Sequence, residues 1–203
     1  MTNLLVAGGT SYLFPIEIID LKSSSTTCKS LPPLSLLGGA FGGLGPKDNP
    51  VICNSNFGYN ECFIYKNNAW NQFPFLSSIR TAAAISPSPY PNKSHKFIVT
   101  GGWNYSNNTT YQNTGEILTD DGWKPFPVLL PVKIAHHCMV LINSTTVLVI
   151  GGSQFNSSIN LEPYDRLNPP NYVNTFFFNS DNEKWTQGLE KYSVPVSFTS
   201  KLL

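Results

Sequence analysis

IAHHCMVLINSTTVLVIGG, residues 134–152, decides how the rest of the chain is read. It divides into two apolar runs, HHCMVLI and TTVLVI, around a polar Asn143-Ser144 turn, and stops at Gly151-Gly152. Unbroken runs of β-branched and aliphatic residues fit strands buried on both faces. A glycine doublet ends such a strand because glycine takes left-handed backbone angles without steric cost. The unit recurs as KFIVTGG at 96–102, as NLLVAGG at 3–9 and as PVICNS at 50–55, where Asn54-Ser55 takes the doublet position. The doublets start at 8, 54, 101 and 151, in steps of 46, 47 and 50 residues. A fixed period of this size implies a repeat architecture and outranks other local signals.

A tryptophan follows three of the doublets: Trp70, Trp123 and Trp185. Each closes a β-rich segment, ECFIYKNNAW, TGEILTDDGW or NTFFFNSDNEKW. The repeating unit is therefore four strands, with the doublet after the second and the tryptophan in the fourth. On Gly8, Gly9, Gly101, Gly102, Gly151 and Gly152 with these tryptophans, the chain resembles the kelch-repeat family over about residues 3–190. The resemblance implies an all-β, kelch-type β-propeller of about four four-stranded blades.

The blades are expected at 3–34, 35–76, 77–130 and 131–190, with 191–203 as a closing inner strand. The first is incomplete: it opens on its doublet strand and has Cys28 where the tryptophan belongs. The second begins with GGAFGGLG at 38–45, which is similar to an inner kelch strand. It does not fit a dinucleotide loop, because a Pro46–Pro50 turn follows where a helix is required. The third has a long polar loop, WNYSNNTTYQN, at 103–113. In the fourth, 33 residues separate Gly152 from Trp185, against 21 between Gly102 and Trp123. That difference marks a loop insertion. Kelch propellers usually have more blades, roughly five to seven. The chain is thus expected to be either a small closed propeller or, in preference, a piece of a longer kelch protein.

Composition narrows the function classes. Charged residues make up only 12% of the chain, with a net charge of +1, where soluble domains usually carry about 25% charged residues. Nothing here supplies the basic field of a nucleic-acid binder, and no run reaches the roughly 18 apolar residues of a membrane-spanning helix.

Of four cysteines, Cys53 and Cys62 flank a short loop between neighbouring strands, close enough for a disulfide in an oxidising compartment. The alternative is a pair of reduced core thiols. Cys28 and Cys138 read as core, and no C-x-x-C occurs to hold zinc. His136 and His137 precede Cys138 on a strand, where successive side chains alternate faces, so they do not converge on a metal. Six N-glycosylation sequons, at Asn92, Asn104, Asn107, Asn108, Asn143 and Asn156, fall in expected turns or loops. Roughly four would arise by chance at this Asn, Ser and Thr content. Trp103, directly after its doublet, is a candidate partner contact, with ordinary packing as the alternative.

Neither a Ser-His-Asp arrangement nor a carboxylate pair can be assembled. The residues match no copper-oxidase cluster of the galactose oxidase type and point to no sialidase-like hydrolase. The expected function is a non-catalytic protein–protein interaction module that binds another protein through rim loops 54–61, 103–114 and 153–173. No cofactor, nucleic acid or membrane insertion is expected. The cysteine pair and sequons favour a secreted or cell-surface setting over the alternative, an intracellular substrate adaptor of a ubiquitin ligase.

Overall fold

The computed structural model describes residues 3–7, 13–20, 29–35, 40–44, 49–54, 60–104, 110–154 and 175–188, and these contain strands but no helix. All strand pairing is antiparallel. The first sheet holds β1 (Asn3–Ala7), β2 (Leu13–Asp20) and β3 (Lys29–Ser35). The second is a meander of β4 (Phe41–Leu44), β5 (Pro50–Asn54), β6 (Glu61–Lys66) and β7 (Ala69–Phe73). The third holds β8 (Ala84–Pro87), β9 (Phe97–Thr100), β12 (Gly115–Thr119) and β13 (Gly122–Pro125). A two-stranded hairpin, β10 (Trp103–Asn104) and β11 (Thr110–Tyr111), interrupts it between β9 and β12. The fourth sheet holds β14 (Ile134–Asn143), β15 (Thr146–Gln154), β16 (Thr175–Asn179) and β17 (Lys184–Gln187).

The sheets stack face to face, and three apolar layers lie between them. Ile16 and Leu31 of the first sheet meet Ile52 of the second. Val51, Cys53 and Cys62 of the second meet Phe97, Val99 and Leu118 of the third. Ile98 and Ile117 of the third meet Val147, Val149, Phe176 and Phe178 of the fourth. Successive residues of a strand point to opposite faces, so β9 sends Phe97 and Val99 into one layer and Ile98 into the next. This is why FIVT has no polar alternation: all four residues are at most 1% exposed. The first strands of the second, third and fourth sheets also lie side by side, β4 beside β8 and β8 beside β14.

Two tryptophans tie neighbouring sheets. The Trp70 indole N–H donates to the Pro32 carbonyl at 2.8 Å, and that of Trp123 donates to the Pro74 carbonyl at 2.9 Å. Each fourth strand is thereby anchored to the outer edge of the sheet before it. Trp185 packs on Phe178 at 5.1 Å between ring centres.

Two local expectations are altered, and one strand is short. The first strand of the third sheet is short, because Ala82 has φ 52° and breaks the extended run between Thr81 and Ala84. The loop at 103–113 is not wholly irregular, since its two ends pair as β10 and β11. Two of the sequons are not in loops: Asn104 lies in β10 and Asn143 ends β14. Gly8, Gly9, Cys28, Asn107, Asn108, Asn156 and the 191–203 tail lie outside the described residues.

Cys53 and Cys62 face each other across β5 and β6 and form a disulfide, with both residues fully buried. It closes a loop spanning a sequence separation of 9 residues, for which chain entropy gives about 2.5 kcal/mol. Cys53→Ala together with Cys62→Ala is therefore expected to lower unfolding free energy by roughly that amount in urea titrations. Adding reductant should then have no further effect on the double variant.

Candidate functional site

The second strands of the third and fourth sheets end at the same edge of the stack, and this edge forms a rim. Gly101 and Gly102 have φ of 63° and 92°, and Gly151 and Gly152 have 69° and 89°. A side chain at Gly152 would place its Cβ 2.7 Å from the Ala135 carbonyl oxygen, and one at Gly102 2.9 Å from that of Thr81. The doublets thus supply both a left-handed turn and a close approach to the first strand. Backbone bonds then join the two sheets. The Ile134 N–H donates to the Gln112 carbonyl at 3.1 Å, Gly102 N–H to Ile134 at 2.8 Å and His136 N–H to Ala82 at 2.9 Å.

Aromatic residues cover this junction. The Trp103 ring stacks on Tyr111 with centres 5.4 Å apart and meets the edge of His136 at 5.1 Å. The Tyr111 hydroxyl lies 3.2 Å from Ser153 Oγ. Trp103 is half-buried in this cluster, so its ring is part of the scaffold on which the rim loop stands.

Beneath the rim sits a buried ion pair that sequence reasoning missed. Arg80 Nε donates to Glu116 Oε1 at 2.8 Å, with the two side chains 2% and 1% exposed. Arg80 also donates to the carbonyls of Gly101 at 3.0 Å and Thr114 at 2.9 Å, and to Thr114 Oγ1 at 2.9 Å. Glu116 accepts from the Ser77 N–H at 2.7 Å, the Ser77 hydroxyl at 2.6 Å and the Ser78 N–H at 3.2 Å. Burial pulls the Arg80 pKa down, against the pull of Glu116. The arrangement fastens the segment before β8 to the end of β9 and the start of β12. Register shows what replaces it in the fourth sheet. Glu116 pairs with Val99 as Phe176 pairs with Val149, and Arg80 precedes the bridge from Thr81 to Trp103 as Ile134 precedes the pair Ala135–Ser153. Ile134 and Phe176 are themselves buried. An ion pair in one repeat thus occupies the positions of an apolar pair in the next.

The histidines depart from simple strand alternation. His136 has φ 56°, as Ala82 has at the corresponding place in β8's sheet, and its ring reaches Trp103. His137 Nε2 lies 3.0 Å from Thr100 Oγ1, so both imidazoles meet residues from the third sheet's side. Thr100 Oγ1 also lies 3.5 Å from Met139 Sδ. Burial, with a smaller contribution from His136, pushes the His137 pKa down to about 3, and burial lowers that of His136. Both rings are neutral at pH 7. Burial raises the pKa of the Cys138 thiol, which disfavours the thiolate that nucleophilic or metal chemistry needs. Among the described residues no three His, Cys, Asp or Glu side chains cluster to hold a metal.

A cleft of about 350 Å³ runs along the first strands, lined by Phe41–Leu44 of β4, Ala83–Pro87 at β8 and His137–Leu141 of β14. Each of these strands ends its sheet, so its outer edge faces the cleft. Of the described sequons, Asn92 is exposed between β8 and β9 and Asn143 is exposed at the end of β14, so both sit at the junction of first and second strands in consecutive sheets. Both lie at the edge opposite the glycine doublets, whereas Asn104 lies at the doublet edge and is half-buried. Rim residues 55–59, 105–109 and 155–174 lie outside the described set.

No protein-family model and no curated protein matches the chain. By structure, 130 chains match. Among them is one titled "Structure of YjhT", with a TM-score of 0.61 and 14% identity, over 80% of this chain and 54% of that one. The chain spans about half the length of that structure. At this identity the likeness shows a shared fold and carries nothing about activity.

The ion pair gives a testable exchange between repeats. Arg80→Ile alone leaves Glu116 buried without its partner and is expected to cost about 3–5 kcal/mol. Combining it with Glu116→Phe, which installs the fourth sheet's residues, is expected to be less destabilising than Arg80→Ile alone. Urea unfolding of both variants and the parent checks this.

Proposed function

We propose that the stacked sheets are blades of a kelch-type β-propeller and that the protein is a non-catalytic interaction module binding another protein through its rim loops. The observation that supports this most directly is the arrangement of the third and fourth sheets. Both bring their second strands to the same edge on a glycine doublet, and both launch a polar excursion from it. The scaffold beneath is fixed by buried bonds, and the loops above are free to vary without disturbing it. Asn, Ser and Tyr dominate these loops, which suits adaptable hydrogen bonding to a protein surface.

The setting we favour is extracellular. A disulfide buried between β5 and β6 persists in an oxidising compartment. Asn92 and Asn143 are exposed on the edge away from the doublets, so glycans there would leave the binding rim open.

The structure narrows the loop experiment. Trp103, Tyr111, Gln112 and Thr114 belong to the scaffold through their stacking and hydrogen bonds, so only 55–59, 105–109 and 155–173 should be exchanged. Replacing these with Gly/Ser segments is expected to abolish capture of the cognate protein while leaving the melting temperature within about 4 °C. Retained binding by the triple replacement would refute the rim reading.

A further inference from the structure

Two adjacent histidines sit in the junction between the third and fourth sheets, and no described neighbour is placed to accept a positive charge there. The His137 side chain packs against both glycine turns. A Cβ on Gly101 would lie 2.7 Å from its Cε1, and one on Gly152 would lie 2.8 Å from its Cβ. Its Nε2 meets Thr100 Oγ1 across the junction. Its Nδ1 is buried with no hydrogen-bond partner among the described residues. His136 is tied to the same junction, by its backbone N–H to Ala82 and by its ring to Trp103.

An imidazolium at His137 would carry two N–H donors and would need a counter-charge to remain buried. The surrounding elements supply none. Strands β8, β9 and β15 contain no ionisable side chain. On β14 the neighbours are His136, which would add like charge, and Cys138, whose buried thiol is held protonated. Lys133, exposed just before β14, is a further cation. Arg80 reaches the Gly101 carbonyl, and Glu116 of β12 is engaged by Arg80, Ser77 and Ser78. The β10–β11 hairpin contributes only the Tyr111 phenol, beside Ser153.

The third sheet shows that the fold does not require histidine here. A Cβ on Gly102 would lie 3.1 Å from the Cβ of Ala83, as one on Gly152 approaches that of His137. Ala82-Ala83 therefore hold the places of His136-His137, and Ala82 and His136 share a positive φ. One repeat has a titratable pair where the other has two methyl groups.

We propose that His136 and His137 form an acid-operated latch between the third and fourth sheets, closed at neutral pH and opened by proton uptake in mildly acidic solution. Opening frees the edge on which the β10–β11 hairpin stands. The latch belongs to the scaffold and needs no partner, so it stands apart from the rim-binding reading. Its sign follows from burial, which holds both imidazoles below their ordinary value. The opened junction binds protons that the closed one does not. The closed form is thus favoured in full above about pH 6.5 and loses about tenfold per pH unit below it for His137 alone.

Hydrogen exchange of the full chain tests this at the Gly102 and His136 amides, which donate across the junction to Ile134 and Ala82. With rates corrected for the intrinsic effect of pH, their protection factors should fall by about 30-fold or more between pH 7.5 and pH 5.0. The double variant His136→Ala, His137→Ala installs the third sheet's pair and should reduce that fall to about threefold or less. His137→Gln keeps a hydrogen-bonding group that cannot titrate, and should by itself remove most of the fall even if the double variant does not fold. Junction protection that stays flat in the parent over this range would overturn the proposal. So would a fall of the parent's size in either variant, or a His137 ring that titrates by NMR near pH 6.5 while the junction amides stay protected.

Discussion

Every described sheet but the outermost ones must bury both of its faces, and the rest of the structure follows from that constraint. A middle strand such as β9 alternates its side chains between two apolar layers, so it cannot be amphipathic and cannot be left uncovered. Stacking sheet on sheet answers this demand. Once sheets stack, their first strands fall side by side and their second strands reach a common edge. The chain must then turn there in little space, between a carbonyl of the first strand and the next sheet. Gly101, Gly102 and Gly152 satisfy that requirement because a Cβ at each would collide with a nearby backbone carbonyl, and Gly151 because it takes a left-handed φ of 69°. The doublets that recur in the sequence are thus a consequence of the packing.

Repeats that solve one geometric problem need not use the same chemistry. The third sheet fastens the entry to its first strand with Arg80 and Glu116, which satisfy nearby carbonyls and N–H groups as well as each other. The fourth uses Ile134 and Phe176 at the corresponding positions. In the second sheet the position of Glu116 is held by Phe63, which pairs with Ile52 and packs in the layer toward the first sheet. A buried ion pair gives little net stability over a well-packed apolar pair, so drift between the two is tolerable provided both partners change together. The tie of Trp70 to Pro32 and of Trp123 to Pro74 is kept in both chemical identity and geometry.

What could be read in the sequence was what local chemistry dictates. FIVT announced a strand buried on both sides because it lacks any polar alternation; TVLVI reads the same way, but only Val147 and Val149 are buried while Leu148 and Ile150 on the other face are half-buried. Cys53 and Cys62 were legible as neighbours because a short loop joins their strands. Arg80 and Glu116 were not legible as a pair, being 36 residues apart, and isolated charges ordinarily read as surface. The available signal was their location: Glu116 lies within the largely apolar β12 and Arg80 just before the largely apolar β8. His136 and His137 misled because alternation assumes an extended backbone, and His136, with φ 56°, does not keep one. The hairpin of β10 and β11 was hidden in a polar stretch, and only two residue pairs at its base form it. Function was least legible, since the proposed binding role rests on loop residues that no packing rule constrains.

Native-state hydrogen exchange tests the central claim most directly. If sheets buried on both faces organise the molecule, the amides of Ile52 and Val99, in the second strands β5 and β9, should exchange only through global unfolding and be the slowest in the chain. Those of β7, β13 and β17, at the outer edges, should exchange by local opening at far lower free energies. Comparable protection across first, second and fourth strands, or faster exchange in β9 than in β13, would contradict the account.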